Sequence, residues 1–250
     1  MLEGKVCFVS GAARGKGNGR AIALKLAGKG AHVATGDIRY EEAQGVAEEI
    51  RAMGRKSLAV KMDLGDYDQI KEGIDKIRKE LGPVDVLVNN AAIMTNIATI
   101  SAMKPGAWEK EIAVNLSGAF YCVKQVFDDM AEKKWGRIIN MSSLAGRMGS
   151  YGGGVGYATT KAGIIGLTMC FARQVAQHNI TVNAVAPGTT KTEIIKTLPE
   201  DKIEAIKAMI PMGRLGKPEN TADVVTFLAS DKAEYITGAV IDVNGGIFMG

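Results

Sequence analysis

The feature that most constrains the fold of this chain is a regular alternation of short apolar runs with longer segments of helical spacing. The apolar runs have almost no polar interruption, which is typical of parallel strands that helices cover on both faces. Right-handed crossovers between such strands build a doubly wound sheet. The sequence therefore predicts one α/β domain over residues 1–250 with about seven parallel strands. The predicted strands span residues 5–10, 31–37, 56–63, 84–90, 136–143, 179–188 and 239–246.

The predicted helices lie between these strands, and one connection is unusually long. Residues 189–217 form a connection without a predicted strand, and such long segments in compact domains are commonly lids or binding loops. We expect this segment, called here the substrate segment, to close over a small-molecule substrate. The helices are predicted at residues 20–30, 40–53, 67–81, 108–134 with a break near Asn115, 156–177 and 218–230.

Composition and charge exclude several classes of protein. With 46% hydrophobic and 23% charged residues, the chain has ordinary globular composition. A net charge of +4 with both signs mixed along the chain gives no basic stripe, so nucleic acid is not an expected partner. No apolar stretch approaches the ~20 residues of a membrane span, and the N-terminus lacks a signal pattern. We expect a cytoplasmic protein without membrane contact.

The cysteines and histidines predict neither disulfides nor a metal site. Cys7, Cys122 and Cys170 are odd in number, widely separated and embedded in apolar runs, so we expect buried free thiols in a reducing compartment. His32 and His178 have no Cys, Asp or Glu at ligand spacing, which favours ordinary surface roles over metal binding.

A glycine-rich turn follows the first predicted strand and precedes a helix. Glycines let the backbone pass close to a pyrophosphate, whose charge then faces the unpaired amides of the helix N-terminus. A tight turn without a ligand is the alternative, but the strand–turn–helix context favours a Rossmann-like dinucleotide site. The residues of this turn that we expect to bind cofactor are Gly11, Arg14, Gly15, Gly17, Asn18 and Gly19.

Asp37 ends the second predicted strand and bears on the choice of dinucleotide. A carboxylate there can accept hydrogen bonds from both hydroxyls of an adenosine ribose and repel a 2′-phosphate, which favours NAD over NADP. Arg14 points the other way, because a guanidinium beside the turn could hold that phosphate. We favour NAD, since a carboxylate fixed against a phosphate costs more than an arginine left in solvent. A solvated loop aspartate is the alternative for Asp37.

Tyr157 and Lys161 are four residues apart, which places both side chains on one face of a helix. A neighbouring ammonium favours the phenolate, and a pKa lowered by about 3 units corresponds to about 4 kcal/mol. Tyr157 then becomes a usable general acid or base. The alternative is a surface pair, but Ser142 and Ser143 end the preceding strand at the sheet edge where ligands bind.

Together these ordered motifs resemble the short-chain dehydrogenase/reductase family, over essentially the whole chain. The resemblance is to the type that includes 3-oxoacyl-carrier-protein reductases and many secondary-alcohol dehydrogenases. The matching pieces are SGAARGKGNGRAIA from Ser10, Asn89-Asn90-Ala91-Ala92, Asn115, Ser143, Tyr157-Ala158-Thr159-Thr160-Lys161, Pro187-Gly188 and ASDKAEYITG from Ala229.

The resemblance implies a role for each matching residue. Tyr157 is expected to exchange the proton, while Ser143 hydrogen-bonds the substrate oxygen. Lys161 is expected to hold the nicotinamide ribose and depress the pKa of Tyr157, and Asn115 to position a water. The resemblance also implies dinucleotide contacts from Asp63, Leu64, Asn90, Ala91, Tyr157, Lys161, Pro187, Gly188, Thr190 and Thr192.

Three departures from the family pattern stand out. Two residues are inserted in the glycine-rich turn, and Ala92 replaces a usual glycine, which demands a negative φ or a local adjustment. Ser143 lies 14 residues before Tyr157 rather than the commoner 13, with the surplus in the run 151–156, which we expect to line the substrate pocket. Ser142 is the alternative catalytic serine.

The sequence thus predicts an NAD-dependent secondary-alcohol dehydrogenase or ketoreductase. The alternatives are an NADPH-dependent 3-oxoacyl thioester reductase and a non-catalytic dinucleotide-binding subunit. An epimerase or dehydratase on this scaffold usually carries a larger substrate domain than 250 residues provide. The resemblance also implies a homotetramer, with dimer faces on the long helices 108–134 and 156–177.

Overall fold

The computed structural model describes residues 2–13, 15, 17–95, 100–149, 154–191, 195 and 199–250. These residues form one parallel sheet of seven strands in the order β3-β2-β1-β4-β5-β6-β7. The strands are Val6–Ser10 (β1), His32–Asp37 (β2), Ser57–Lys61 (β3), Val86–Asn89 (β4), Gly136–Met141 (β5), Ile180–Pro187 (β6) and Val240–Val243 (β7). Each lies within a predicted run, so the doubly wound α/β fold is confirmed.

Helices cover both faces of this sheet. They are Asn18–Ala27 (α1), Tyr40–Ala52 (α2), Tyr67–Glu80 (α3), Pro105–Ile112 (α4), Gly118–Lys133 (α5), Leu144–Met148 (α6), Val155–Val175 (α7), Glu200–Ala208 (α8) and Pro218–Leu228 (α9). The break predicted near Asn115 is a π-helical turn, Ala113–Ser117, between α4 and α5. The described residues of the substrate segment form no strand, as predicted, but they include helix α8.

The core has a separate apolar layer on each face of the sheet. One layer packs Ile22 and Leu26 of α1 with Val225 of α9, and the other packs Ile74 of α3 with Val126 of α5. All residues of β1, β5 and β6 are buried. The two-sided burial explains why the strands are continuously apolar in the sequence rather than alternating.

The strand order reverses between β1 and β4, and this reversal positions the site. From β1 the chain first builds outward to β3, then returns to place β4 on the other side of β1. In open α/β sheets, a ligand crevice forms beyond the carboxyl ends of the strands at such a reversal. The glycine-rich turn after β1, Asn90 after β4 and Ser143 after β5 therefore share one edge.

The prediction that all three cysteines are buried is wrong for Cys170. All three thiols are free, and Cys7 and Cys122 are buried, but Cys170 is exposed. Helix α7 buries Thr168 and Ala172 on one stripe, and Cys170 lies between them on the other side of the helix. The helix is apolar on its outer face as well, so the apolar run misleads. Burial raises the pKa of Cys122 to about 12.

Two kinds of feature are absent from the described part of the chain. No helix there is long and apolar enough to cross a membrane. The same residues contain no group of three or more His, Cys, Asp or Glu side chains that could hold a metal ion.

Candidate active site

Helix α7 carries Tyr157 and Lys161 on one face, as their spacing predicts. Lys161 is 3% exposed, and its Nζ donates a hydrogen bond of 2.6 Å to the carbonyl of Met141, the last residue of β5. The Lys161 Nζ lies 5.7 Å from the centroid of the Tyr157 ring. The amine and the phenol therefore lie side by side at the carboxyl edge of the sheet.

The two serines after β5 have different partners. Ser142 is buried, and its hydroxyl donates to the backbone carbonyl of Lys161 at 2.8 Å. Ser143 caps α6 by accepting the amide of Ala145 at 3.1 Å, and its side chain hydrogen-bonds the Tyr157 hydroxyl. Because Ser142 is committed to the backbone of α7, the geometry favours Ser143 as the serine that can face a substrate.

Burial sets the protonation of this cluster. It raises the pKa of Tyr157, and the hydrogen bond from Ser143 offsets this only in part. It also lowers the pKa of Lys161 to about 8. The prediction that the ammonium depresses the pKa of Tyr157 is therefore wrong in this structure. The reason is that burial disfavours both charged forms, while the ammonium is directed at the Met141 carbonyl.

Asn115 lies in the π-helical turn and joins two parts of the site. Its side chain exchanges hydrogen bonds of 2.8 Å with the backbone N–H and carbonyl of Ile93, and donates to the Thr160 hydroxyl at 3.2 Å. The turn is one of the rare single-turn π segments that frequently occur at functional sites. Asn115 thereby connects the segment after β4 with α7.

The glycine-rich turn is held tightly against the end of β4. Gly11 has φ +68°, and a Cβ there would lie 2.5 Å from the Cα of Ala91. The Asn90 side chain donates to the carbonyls of Ser10 and Gly11, both at 2.9 Å. The Ser10 hydroxyl in turn accepts the amides of Asn90 and Ala91. Asn90, expected on the adenosine side, thus uses its amide donors to shape the turn.

The first turn of α1 keeps its amides uncapped by side chains. Its N-cap residue, Gly17, makes no side-chain cap bond, and a helix leaves its first four N–H groups without intrahelical partners. The buried Asn18 Oδ1 also has no hydrogen-bond partner among the described residues. Gly15 has φ +35°. Arg14 lies outside the described residues.

Asp37 is held in place by two backbone amides. Its carboxylate accepts from Ala13 at 3.1 Å and from Arg39 at 3.0 Å, and its side chain is 10% exposed. The Arg39 guanidinium lies 3.9 Å from the same carboxylate and pairs with Glu42 at 3.0 Å. The carboxylate thus bridges the glycine-rich turn and the end of β2.

The other residues expected to bind cofactor lie at the same edge. The Asp63 carboxylate accepts the amide of Gly65 at 2.8 Å, and Leu64 is buried. Pro187 ends β6, and a Cβ on the following Gly188 would lie 2.9 Å from the Cα of Asn244. Thr190 donates to the Gly188 carbonyl at 3.2 Å. Thr192 and residues 151–153 of the predicted pocket lining lie outside the described part of the chain.

The substrate segment is closed at its two ends. Thr190 and Gly216 form an isolated parallel bridge, supported by hydrogen bonds from the Lys191 amide to the Gly216 carbonyl (2.8 Å) and from the Gly216 amide to the Thr189 carbonyl (3.0 Å). A cavity of about 630 Å³ lies beside this bridge. Its lining residues are Thr189, Thr190, Pro211, Met212, Arg214, Gly216, Lys217, Asn220, Thr221, Asp242, Val243, Asn244, Gly245, Gly246 and Met249.

Three contributors to the site were missed in the sequence. Arg39 stands two residues after Asp37, so its position in the sequence was a visible signal of a cation near the Asp37 carboxylate. Thr160 lies beside Lys161 on the predicted helix 156–177, but no role was predicted for it. The Met141 carbonyl had no signal, because a backbone acceptor is independent of residue type.

The chain belongs to the short-chain dehydrogenase/reductase family. A family profile described as enoyl-(acyl carrier protein) reductase matches residues 11–248, nearly the whole chain. The resemblance that the motifs predicted is thereby confirmed.

Its relatives include enzymes named 3-oxoacyl-(acyl-carrier-protein) reductase FabG. The one from Thermotoga maritima is 43% identical over 248 residues, which cover 99% of this chain and 99% of the relative. The one from Aquifex aeolicus is 44% identical over 248 residues, which cover 99% of this chain and 98% of the relative. The one from Staphylococcus aureus strain N315 is 43% identical over an alignment of 253 residues that covers both chains in full.

The residues of the glycine-rich turn fit the nicotinamide dinucleotide that enzymes of this family use. Gly11 and Gly19 lie where a Cβ would meet neighbouring backbone, so the turn can pass close to a pyrophosphate. Because the N-cap residue Gly17 makes no side-chain cap bond, the first amides of the helix are available to the charge of the pyrophosphate. Asp37, anchored beside the turn, can accept ribose hydroxyls.

We expect the substitution Gly19→Ala to weaken dinucleotide binding. The new Cβ would overlap the Gly11 carbonyl and lie 2.7 Å from Asn90 Nδ2, so the turn must move. We expect the Kd for NADH, measured by fluorescence titration, to rise about tenfold or more, a loss of about 1.4 kcal/mol. Gly45→Ala on α2, where nothing lies within 4 Å of the added Cβ, is the control. Wild-type affinity in Gly19→Ala would contradict this account.

Proposed function

We propose that this protein reduces the 3-oxo group of an acyl thioester, with a nicotinamide dinucleotide as the hydride donor. Support comes from the cluster of Ser143, Tyr157 and Lys161. This cluster lies at the same carboxyl edge of the sheet as the glycine-rich turn. Full-length relatives at 43–44% identity named 3-oxoacyl-(acyl-carrier-protein) reductases favour this substrate over the simple secondary alcohols that the sequence first favoured.

Tyr157 is the proposed proton donor and Ser143 the group that holds the substrate oxygen. Their mutual hydrogen bond places both hydroxyls where one carbonyl oxygen could contact them together. The dinucleotide supplies the hydride when it is bound. As negative charge develops on the substrate oxygen, Tyr157 releases its proton to it while Ser143 stabilises the oxygen by hydrogen bonding.

Lys161 and Asn115 are proposed to support Tyr157. The Lys161 ammonium, held by the Met141 carbonyl, is placed to bind the nicotinamide ribose and so to orient the dinucleotide beside Tyr157. Asn115, anchored by Ile93 and Thr160, keeps the proposed role of positioning a water that links Lys161 to solvent.

The protonation of the cluster supports reduction as the direction of the reaction. Burial keeps the Tyr157 pKa above its ordinary value, so the phenol is protonated at neutral pH and ready to act as an acid. Oxidation would require the phenolate before the reaction begins. A buried phenol is therefore better suited to giving a proton than to taking one.

NAD(H) is the proposed cofactor, and Asp37 supports it. The carboxylate is fixed by two amides and cannot easily move away from a 2′-phosphate. Arg39, the described cation beside it, is already close to Asp37 and paired with Glu42. NADP would require Arg39 to leave these acidic partners, so it is the less favoured dinucleotide.

We also propose that residues 1–250 act as one domain, in the cytoplasm and as a homotetramer. One apolar layer joins Leu2 near the start of the chain with Ala233 near its end, which supports a single domain. Phe120 of α5 is 40% exposed and stacks on Phe171 of α7 at 5.9 Å between ring centroids. These apolar groups support a dimer face on the two long helices, as the family resemblance implies.

The test of the proposed function is Tyr157→Phe assayed with acetoacetyl-coenzyme A, a small 3-oxoacyl thioester. Without the proton donor, kcat should fall about 10²- to 10⁴-fold, while the Kd for the dinucleotide stays within about twofold. Tyr235→Phe, at a fully exposed tyrosine, is the matched control. Retained turnover in Tyr157→Phe would refute the assignment. A wild-type protein that reduces simple ketones but no 3-oxoacyl thioester would restore the broader prediction of a secondary-alcohol dehydrogenase.

Asp37→Ala should narrow the preference for NADH over NADPH. The substitution removes an acceptor of the ribose hydroxyls and the charge that repels a 2′-phosphate, and it leaves Glu42 as the one acidic partner that the structure shows for Arg39. We expect the ratio of kcat/KM values to shift about tenfold or more toward NADPH, in line with a lost charged hydrogen bond. Glu41→Gln, an exposed residue on α2, is the control. An unchanged ratio would argue against Asp37 as the discriminating residue.

The rate of ketone reduction should fall at alkaline pH. Lys161 carries its charge below its pKa of about 8 and loses it above, whereas Tyr157, whose pKa is raised, stays protonated through this range. We therefore expect kcat/KM for reduction to hold below about pH 8 and to decline as pH rises beyond it. A rate that climbs between pH 7 and pH 9 would show that reduction does not require the charged form of Lys161 and would contradict this account.

A further inference from the structure

A fully buried carboxylate near the proposed site has no part in the reaction described above. Glu111 on α4 has no exposed surface. Its Oε1 accepts two hydrogen bonds from Thr95, one from the backbone N–H at 2.6 Å and one from the hydroxyl at 2.8 Å. Its Oε2 is buried and has no hydrogen-bond partner among the described residues. Burying a charge in this way is costly unless the charge has a partner.

The second oxygen of Glu111 lies against the first turn of α7. It occupies the space that a Cβ on Gly156 would need, and the Met103 methyl carbon lies 3.0 Å from that same Cβ position. Gly156 directly precedes Tyr157. Helix α7 begins after Gly154, an N-cap residue that makes no side-chain cap bond. A carboxylate at the positive end of a helix is stabilised by the helix dipole and stabilises the helix in return.

Glu111 and Asn115 both connect the segment after β4 with helix α7. Glu111 hydrogen-bonds Thr95 and contacts α7 at Gly156, whereas Asn115 hydrogen-bonds Ile93 and contacts α7 at Thr160. Residues four apart on one helix face the same side, which explains the repeat. The two residues on α7, 156 and 160, each immediately precede a residue of the proposed reaction, Tyr157 and Lys161.

We propose that Glu111 is a positioning residue that fixes Tyr157 by bracing the segment after β4 against the start of α7. This inference rests on the proposed function, since Tyr157 is the group positioned. An apolar side chain of similar volume would fill the same space without the cost of burying a charge. The carboxylate adds a defined position, because its two hydrogen bonds from Thr95 fix where the segment after β4 meets the helix.

The experiment compares Glu111→Ala, Glu111→Gln and Thr95→Val in steady-state reduction of acetoacetyl-coenzyme A. Glu111→Ala removes the brace, and kcat should fall about tenfold to a hundredfold, as expected for a displaced reacting group, with KM for the dinucleotide within about twofold. Glu111→Gln keeps an acceptor for Thr95 and should restore kcat to within about threefold of wild type. Thr95→Val, at an exposed position, should show part of the Glu111→Ala loss.

Glu109→Gln is the matched control, because Glu109 is an exposed glutamate on the same helix. It should leave kcat at the wild-type value. If Glu111→Ala folds and its kcat matches that of Glu109→Gln, the proposal is overturned. If Glu111→Ala does not fold, Thr95→Val decides, and an unchanged kcat in that variant overturns the proposal as well.

Hydrogen–deuterium exchange gives a readout that does not depend on activity. In Glu111→Ala, or in Thr95→Val if the former does not fold, the amides of residues 156–160 and 91–95 should exchange about threefold to tenfold faster, matching the loss of one or two hydrogen bonds. The control should exchange like wild type. If the wild-type protein reduces no 3-oxoacyl thioester, the proposed function is refuted, and faster exchange in the variant would still support the brace. Unchanged exchange would refute the brace whatever the activity.

Discussion

The candidate site depends on how Lys161 is joined to the end of β5. Its side chain donates to the carbonyl of Met141, while its own backbone carbonyl accepts the hydroxyl of Ser142. The two bonds run in opposite directions across the same junction, so helix α7 can neither slide along the strand nor turn about its axis without breaking one. Gly146 of α6 lies so close to the Lys161 backbone that a methyl there would collide with it.

That junction also determines the electrostatics of the site. Burial away from water lowers the pKa of the Lys161 amine and raises the pKa of the neighbouring phenol. Both groups are thereby displaced toward their neutral forms. The phenol is thereby kept in its protonated form, which its proposed role as proton donor requires. Rigid packing and the protonation of the cluster thus have the same cause, which is burial at the carboxyl edge of a parallel sheet.

The sequence predicted the fold, and it predicted that Tyr157 and Lys161 lie close together, because both leave local patterns. Continuous apolar runs report strands buried on two faces, and a four-residue spacing reports Tyr157 and Lys161 on one face of a helix. The sequence did not predict contacts between distant elements. Three contacts depend on packing: the bond from Lys161 to the Met141 carbonyl, the pairing of Arg39 with Glu42 beside Asp37, and the contact of Glu111 with Gly156.

The predicted direction of the Tyr157 pKa was wrong for the same reason, since the spacing of charges along a helix does not show how far a side chain is buried from water. Cys170 was misplaced because α7 is apolar on its outer face too.

The bridge between Thr190 and Gly216 joins the two ends of the substrate segment. With both ends fastened beside β6, the intervening stretch can change in length or composition while the sheet beneath it keeps its register. Closing a loop of this size becomes only slightly more costly as residues are added. Under the proposed function, changes confined to this stretch would alter the substrate range while Ser143, Tyr157 and Lys161 keep their positions.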